Sequence, residues 1–448
     1  MMVKYAILLN KNAISSSLPM LIHSASQLLT LAGPPQRGQD LGNLHIIEDG
    51  AVLIRDGSIL AVGETKQLLS TYPAEPTFNA AGRVVMPGFV DPHTHLIWVG
   101  DRAAEFEVRL QGKTYMEILA AGGGILSTVR ATREASLETM IDQTRSRLHS
   151  MLIHGTTTAE AKTGYGLEIG TELRMLQALI ALDQEGPLDL AITFLGAHAI
   201  PPEFKDDADG FTNYICEDML PAVHTWWSAQ RSVTEKPFPP HPFVDVFCET
   251  GAFDLDQSRR ILQSAKDLGF PLKIHADEFD NLGGAALGAS LGANSADHLV
   301  ATSADDIQAL AESDTVAVAL PCTPFGLAEQ HYTPAIDILN AGGLLAIATD
   351  LNPGTAWCES MQFAIALACR YMQLTPSQAI AAATINAAAA INRADRIGSL
   401  EPGKQADLLV LDLPDYRHLG YRFGTNLVHT VFKKGKPFSV KGISSWTP

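Results

Sequence analysis

Five side chains able to bind a metal ion stand at or just past the ends of short apolar runs: His93, His95, His275, His298 and Asp350. His93 and His95 are two residues apart, so on an extended chain both imidazoles face the same way and can chelate one ion. Any one of these histidines alone would be read as a packing residue. Several histidines and a carboxylate from separate runs, aimed at one place, make a nitrogen and oxygen site suited to zinc or ferrous iron. Such an ion makes water acidic enough to act as a nucleophile near neutral pH. Glu278 lies three residues beyond His275 and can reach the same place to shuttle a proton, the alternative being a solvated loop carboxylate.

Bringing these residues together requires a particular scaffold. Between residues 84 and 350 the chain alternates strand-like runs with helical stretches, the pattern of a parallel sheet with crossover helices. The candidate strands are 84–91, 156–162, 189–197, 244–249, 272–276, 295–299, 316–320 and 345–350. Eight such strands predict an α/β fold, a closed (β/α)8 TIM-type barrel, whose strand ends converge on one mouth. Residues 21–85 and the far end of the chain read instead as short strands with turns. They include a hairpin signal at Arg55-Asp56-Gly57 and a turn at Glu401-Pro402-Gly403-Lys404. Both chain ends are therefore expected to form one small β-sandwich domain, residues 1–85 and 391–448, around a barrel of 86–390. Thr375, Pro376 and Gln378 predict a capped helix continuing to about Ile391, and the proline-rich stretch 231–242 predicts a surface loop.

Composition narrows the partners. With 49 Asp and Glu against 32 Lys and Arg, the chain repels phosphate backbones and anionic membrane surfaces, so neither nucleic acid nor membrane is expected. An anionic small-molecule substrate would then need a local cation, and Arg102 can clasp a carboxylate; its alternative is an ion pair with Glu105 or Glu107. The five cysteines form no CxxC pair and predict a reducing, cytoplasmic setting. The apolar run at residues 5–9 is too short for a secretory signal, and no run reaches the roughly 18 apolar residues of a membrane span.

Pro87-Gly88-Phe89-Val90-Asp91-Pro92-His93-Thr94-His95, followed in order by His275, His298 and Asp350, resembles the opening signature and ligand order of the amidohydrolase superfamily. Closer still, Gly122-Gly123-Gly124-Ile125, Lys162-Thr163-Gly164-Tyr165-Gly166-Leu167, Phe194-Leu195-Gly196-Ala197-His198, Asp245-Val246-Phe247-Cys248-Glu249 and Thr349-Asp350-Leu351-Asn352-Pro353-Gly354 resemble the imidazolonepropionase family over residues 45–435. The resemblance implies one divalent ion per subunit, zinc or iron, on His93, His95, His275 and Asp350. It implies Glu278, His298 and Asp350 as catalytic groups, and Arg102, Tyr165, His198, Glu278, Asn352, Gly354 and Thr355 as the substrate pocket. It further implies a homodimer that hydrolyses 4-imidazolone-5-propanoate to N-formimidoyl-L-glutamate. The competing reading is another cyclic amidohydrolase or a nucleobase deaminase on the same scaffold. Glu249, at the end of the fourth strand, leaves a second metal ion open, whereas Lys162 on the second strand is badly placed to bridge two ions. The long 231–242 stretch and Cys322 depart from the family's pattern.

Overall fold

In the computed structural model, residues 19–112, 123–231, 234, 239 and 241–440 are described. Gly122 and most of the proline-rich 231–242 stretch lie outside them, as does the N-terminal segment 1–18. Eight parallel strands follow one another in sequence order: β6 (Phe89–Asp91), β7 (Thr156–Lys162), β8 (Asp189–Ala197), β9 (Phe243–Cys248), β10 (Lys273–Ala276), β11 (Ser295–His298), β12 (Val316–Ala319) and β13 (Leu345–Ile347). The seam between β13 and β6 is closed just beyond the strands. There the amide of His95 donates to Leu351 O at 2.9 Å and that of Asp350 to His93 O at 3.2 Å. The backbone that completes the barrel thus belongs to the candidate ligands themselves.

The two chain ends meet in a second sheet, also of eight strands among the described residues, in the order 436–439, 428–433, 408–411, 84–87, 20–29, 46–55 and 58–64, with 77–79 paired to 20–29. It holds β1 (Met20–Leu29), β2 (Ile46–Arg55), β3 (Ser58–Glu64), β4 (Thr77–Asn79) and β5 (Val84–Pro87) from the first end. β14 (Leu408–Leu411), β15 (Val428–Lys433) and β16 (Lys436–Ser439) come from the other. The β2–β3 hairpin turns through Asp56 and Gly57, both at positive φ (51° and 78°), the conformation a two-residue turn needs to match strand twist. A shared core of Ile22, Val52, Val85, Leu408 and Phe432 fastens the ends together.

Two expectations are corrected. The run 84–91 is not one strand: β5 pairs with β14 in the terminal sheet and β6 with β7 in the barrel. The chain changes sheets at Gly88, where a Cβ would fall 2.3 Å from Thr157 Oγ1. The alanine-rich helix is also divided, into Pro376–Ala382 and Ile385–Ala390. Its capping box of Thr375 and Gln378 is present. The helix stops because Ala383 O accepts the amide of Val90 at 3.0 Å, while buried Asn386 bonds Gln36 and Leu345 O. Among the described residues, no helix is long and apolar enough to cross a membrane.

Candidate active site

β6 delivers His93 and His95 through Pro92; β10 contains His275, β11 ends on His298, and Asp350 follows β13. All five are buried. His95 Nε2 and His275 Nε2 stand 3.2 Å apart, and Asp350 Oδ1 lies 3.4 Å from His93 Nε2 and 3.5 Å from His95 Nε2. Atoms held about 2.1 Å from a tetrahedrally bound ion stand roughly 3.4 Å from one another, close to these three separations, and His93 groups with His95 and His275 on one side and with His298 and Asp350 on the other. His93 Nε2 and Asp350 Oδ1 find no hydrogen-bond partner among the described residues. Buried polar atoms rarely go without one unless a ligand uses the lone pair. The donor set fits a single divalent ion.

Electrostatics agree with that fit. Burial foremost, with neighbouring imidazoles and the Lys162 ammonium adding, holds His93, His95 and His298 well below the ordinary histidine range, leaving neutral rings with free lone pairs. Burial pushes Asp350 up to about 6, opposed by a hydrogen bond from Thr323, whose Oγ1 donates to Asp350 Oδ2 at 2.5 Å.

Around these ligands the structure assembles a pocket wall. His198 stacks on His95 with ring centroids 4.8 Å apart, and Tyr165 meets His198 edge-on at 5.3 Å. Glu172 shapes the loop bearing Tyr165, its buried carboxylate accepting the amides of Gly164, Gly166 and Leu167 at 2.7–3.2 Å. Glu278 Oε2 lies 3.6 Å from His298 Nε2. Burial, reinforced by the charges of Asp350 and Glu249, raises the Glu278 carboxyl well above the usual range. Glu249 accepts the amides of Phe279 and Asp280, fixing the loop that presents Glu278.

Arg102 makes the ion pair with Glu105. Its Nε donates to Glu105 Oε2 at 2.8 Å, while Nη1 lies so close over Gly354 that a Cβ there would sit 2.3 Å away. Asn352 and Thr355 spend their side chains on their own loop: Asn352 Oδ1 accepts the amides of Gly354 and Thr355, both at 2.8 Å. His298 and Asp350 adopt positive φ, 82° and 54°, as does Asp277 at 56°. Such backbone is uncommon away from glycine and gathers where geometry serves a site.

Five charged residues beneath the ligands escaped the sequence reading as site components: Glu160, Lys162, Asp245, Lys273 and Asp297, all buried. Asp297 Oδ2 lies 2.6 Å from His93 Nδ1 and Asp245 Oδ2 lies 3.0 Å from His275 Nδ1. Their signal is the two-residue spacing Glu160/Lys162 and Lys273/His275, charge on one face of otherwise apolar strands.

Comparison with known proteins places this geometry in a lineage. A family model described as "Amidohydrolase family" matches residues 248–438, and another of the same description matches 77–131. A model described as "Imidazolonepropionase-like composite domain, bacteria" matches residues 50–74. The chain is 51% identical over 416 residues to an imidazolonepropionase of Herpetosiphon aurantiacus, covering 93% of this chain and 96% of that protein. It is 48% identical to an imidazolonepropionase of Chloroflexus aggregans, with 93% and 97% covered. Among solved structures, an adenosine deaminase from Xanthomonas campestris with bound zinc shares the fold, with TM-score 0.67 at 21% identity over 94% of this chain and 92% of that one. Identity at that level with relatives matched nearly end to end means that the chain belongs to the imidazolonepropionase family.

Proposed function

We propose that this protein hydrolyses the cyclic amide of 4-imidazolone-5-propanoate to N-formimidoyl-L-glutamate, a step of histidine degradation. The observation that carries the reading is the convergence of His93, His95, His275 and Asp350, linked by three donor pairs 3.2–3.5 Å apart, in a chain of this family. These four residues would hold one ion, zinc or iron. A divalent ion there supplies Lewis acidity, lowering the pKa of water from 15.7 to about 7.

The remaining work falls to the chain's own groups. Arg102 offers a guanidinium edge to the propionate, with Glu105 holding its Nε side. Tyr165 and His198 would flank the ring, and Asn352 with Thr355 keeps the loop at Gly354 in shape. Glu278, made more basic by burial and by the charges of Asp350 and Glu249, takes the proton that water loses as its oxygen adds to the ring carbonyl. It returns that proton to the ring nitrogen as the carbon–nitrogen bond breaks, so no net charge is left on the enzyme. His298, neutral and 3.6 Å from Glu278, can donate an N–H to the oxyanion that develops on the carbonyl oxygen.

We further propose a cytoplasmic homodimer, on the cysteine usage and the family resemblance, and a division of the chain at residues 86 and 390. The chemical assignment is tested with Glu278→Gln. It should retain its metal and lower kcat about 10² to 10⁴-fold. A wild-type kcat would remove Glu278 from the reaction.

A further inference from the structure

Directly under the histidines, where the inside of such a barrel is normally filled by branched aliphatic side chains, lies a closed layer of charge. Lys162 Nζ sits 2.8 Å from Glu160 Oε2, 2.6 Å from Asp245 Oδ2 and 3.6 Å from Asp297 Oδ2. Lys273 Nζ lies 3.5 Å from Glu160 and 3.6 Å from Asp297, and also donates to Pro92 O at 3.1 Å. Three carboxylates and two ammonium groups in a fully enclosed layer gain little stability over a packed apolar one, because desolvation offsets their attraction. Burial alone would discharge Lys162, yet Asp245, Glu160 and Asp297 outweigh it and keep the ammonium charged.

What the layer touches suggests its purpose. The oxygens facing Lys162 are the oxygens facing the ligand imidazoles: Asp297 Oδ2 with His93 Nδ1 at 2.6 Å, and Asp245 Oδ2 with His275 Nδ1 at 3.0 Å. A carboxylate at Nδ1 draws the proton to that nitrogen, turning the Nε2 lone pair toward the ion and fixing the ring plane. Asp245 Oδ2 stands against His275 Nδ1 as an ion-pair neighbour without full hydrogen-bond alignment, whereas His95 meets its carboxylate, Asp350, through Nε2 at 3.5 Å.

We propose that Lys162 is a positioning residue for the metal centre, a buried cation that pins Asp245 and Asp297 together and through them orients His275 and His93. The inference rests on the metal-hydrolase reading above. Lys162 acts on two ligands through two carboxylates, whereas Lys273, equally buried, approaches only Asp297 of that pair. The two lysines therefore separate a positioning role from simple charge balance.

The test compares zinc-loaded wild type, Lys162→Met and Lys273→Met, following zinc retention against a graded chromophoric chelator and the imidazole nitrogen-15 spectrum, with circular dichroism as the folding check. Lys162→Met is expected to bind zinc about 10 to 100-fold more weakly. It should also shift the Nδ1–H signals of His93 and His275 while sparing His95; Lys273→Met should lose less affinity and disturb only His93. Unchanged zinc affinity in Lys162→Met, or an equal loss in both variants, overturns the proposal. Should Lys162→Met fail to fold, Asp245→Asn and Asp297→Asn replace it. Each is then expected to weaken zinc about tenfold and to move only its own histidine, and wild-type affinity in both overturns the proposal. A wild-type protein that retains no metal overturns both this inference and the metal-hydrolase reading, whereas an active, metal-bound wild type with an unaffected Lys162→Met overturns this inference alone.

Discussion

Removing the His275 imidazole takes away a donor that stands 3.2 Å from His95 Nε2, while the barrel around it keeps its core. His275→Ala should therefore lower metal content and abolish hydrolysis with the circular dichroism unchanged; full metal and full activity would remove His275 from the set. Arg102 is different, because a carboxylate contact far from the reacting carbonyl persists through the reaction. Arg102→Ala should raise KM about 10 to 100-fold, the scale of one charged hydrogen-bonded contact, with kcat nearly kept. An unchanged KM would place Arg102 outside the pocket. The ligands were legible in the sequence because two-residue spacing and position at strand ends are local signals. The Nδ1 partners were not, since Asp245 meets His275 from the neighbouring strand and Asp297 meets His93 only across the closed barrel.

Among the elements, the passage from terminal sheet to barrel turns on Gly88, which the apolar run 84–91 conceals. Hydrophobic pattern marks strand residues but not which sheet each one pairs with, and here only the approach of Thr157 to Gly88 marks the change. Gly88→Ala would force Cβ to within 2.3 Å of Thr157 Oγ1. It should cost about 1–3 kcal/mol in urea unfolding, as overpacked substitutions do, and a midpoint equal to wild type would refute that. The other barrel strands were read correctly within three residues because each is a short buried run bounded by turns or caps. The alanine-rich helix was read too long, since alanine carries no local stop signal and the break at Ala383 is imposed by Val90 of the neighbouring strand.

Across the whole molecule, the barrel and the terminal sheet are tied where Asp189 on β8 meets Lys433 on β15 at 2.9 Å and Lys434 just beyond it at 2.6 Å. Burial would raise the Asp189 carboxyl, but the two ammonium groups outweigh it and hold it well below the usual carboxylate range. A carboxyl lowered in the folded state adds stability that is complete above its unfolded pKa, about 3.9, and disappears as pH falls toward the folded value. Asp189→Asn should therefore destabilise the protein by about 1–3 kcal/mol at pH 7, with the gap to wild type narrowing below about pH 4. A gap that is constant with pH would show that Asp189 contributes packing alone. The central claim, a metal-dependent hydrolase of this family's substrate, is tested most directly by the turnover of 4-imidazolone-5-propanoate beside dihydroorotate and hydantoin, before and after chelation. Rapid turnover of the imidazolone alone, lost on chelation and regained with zinc or iron, is the expected result. Silence on the imidazolone with another ring hydrolysed, or turnover indifferent to chelation, would contradict it.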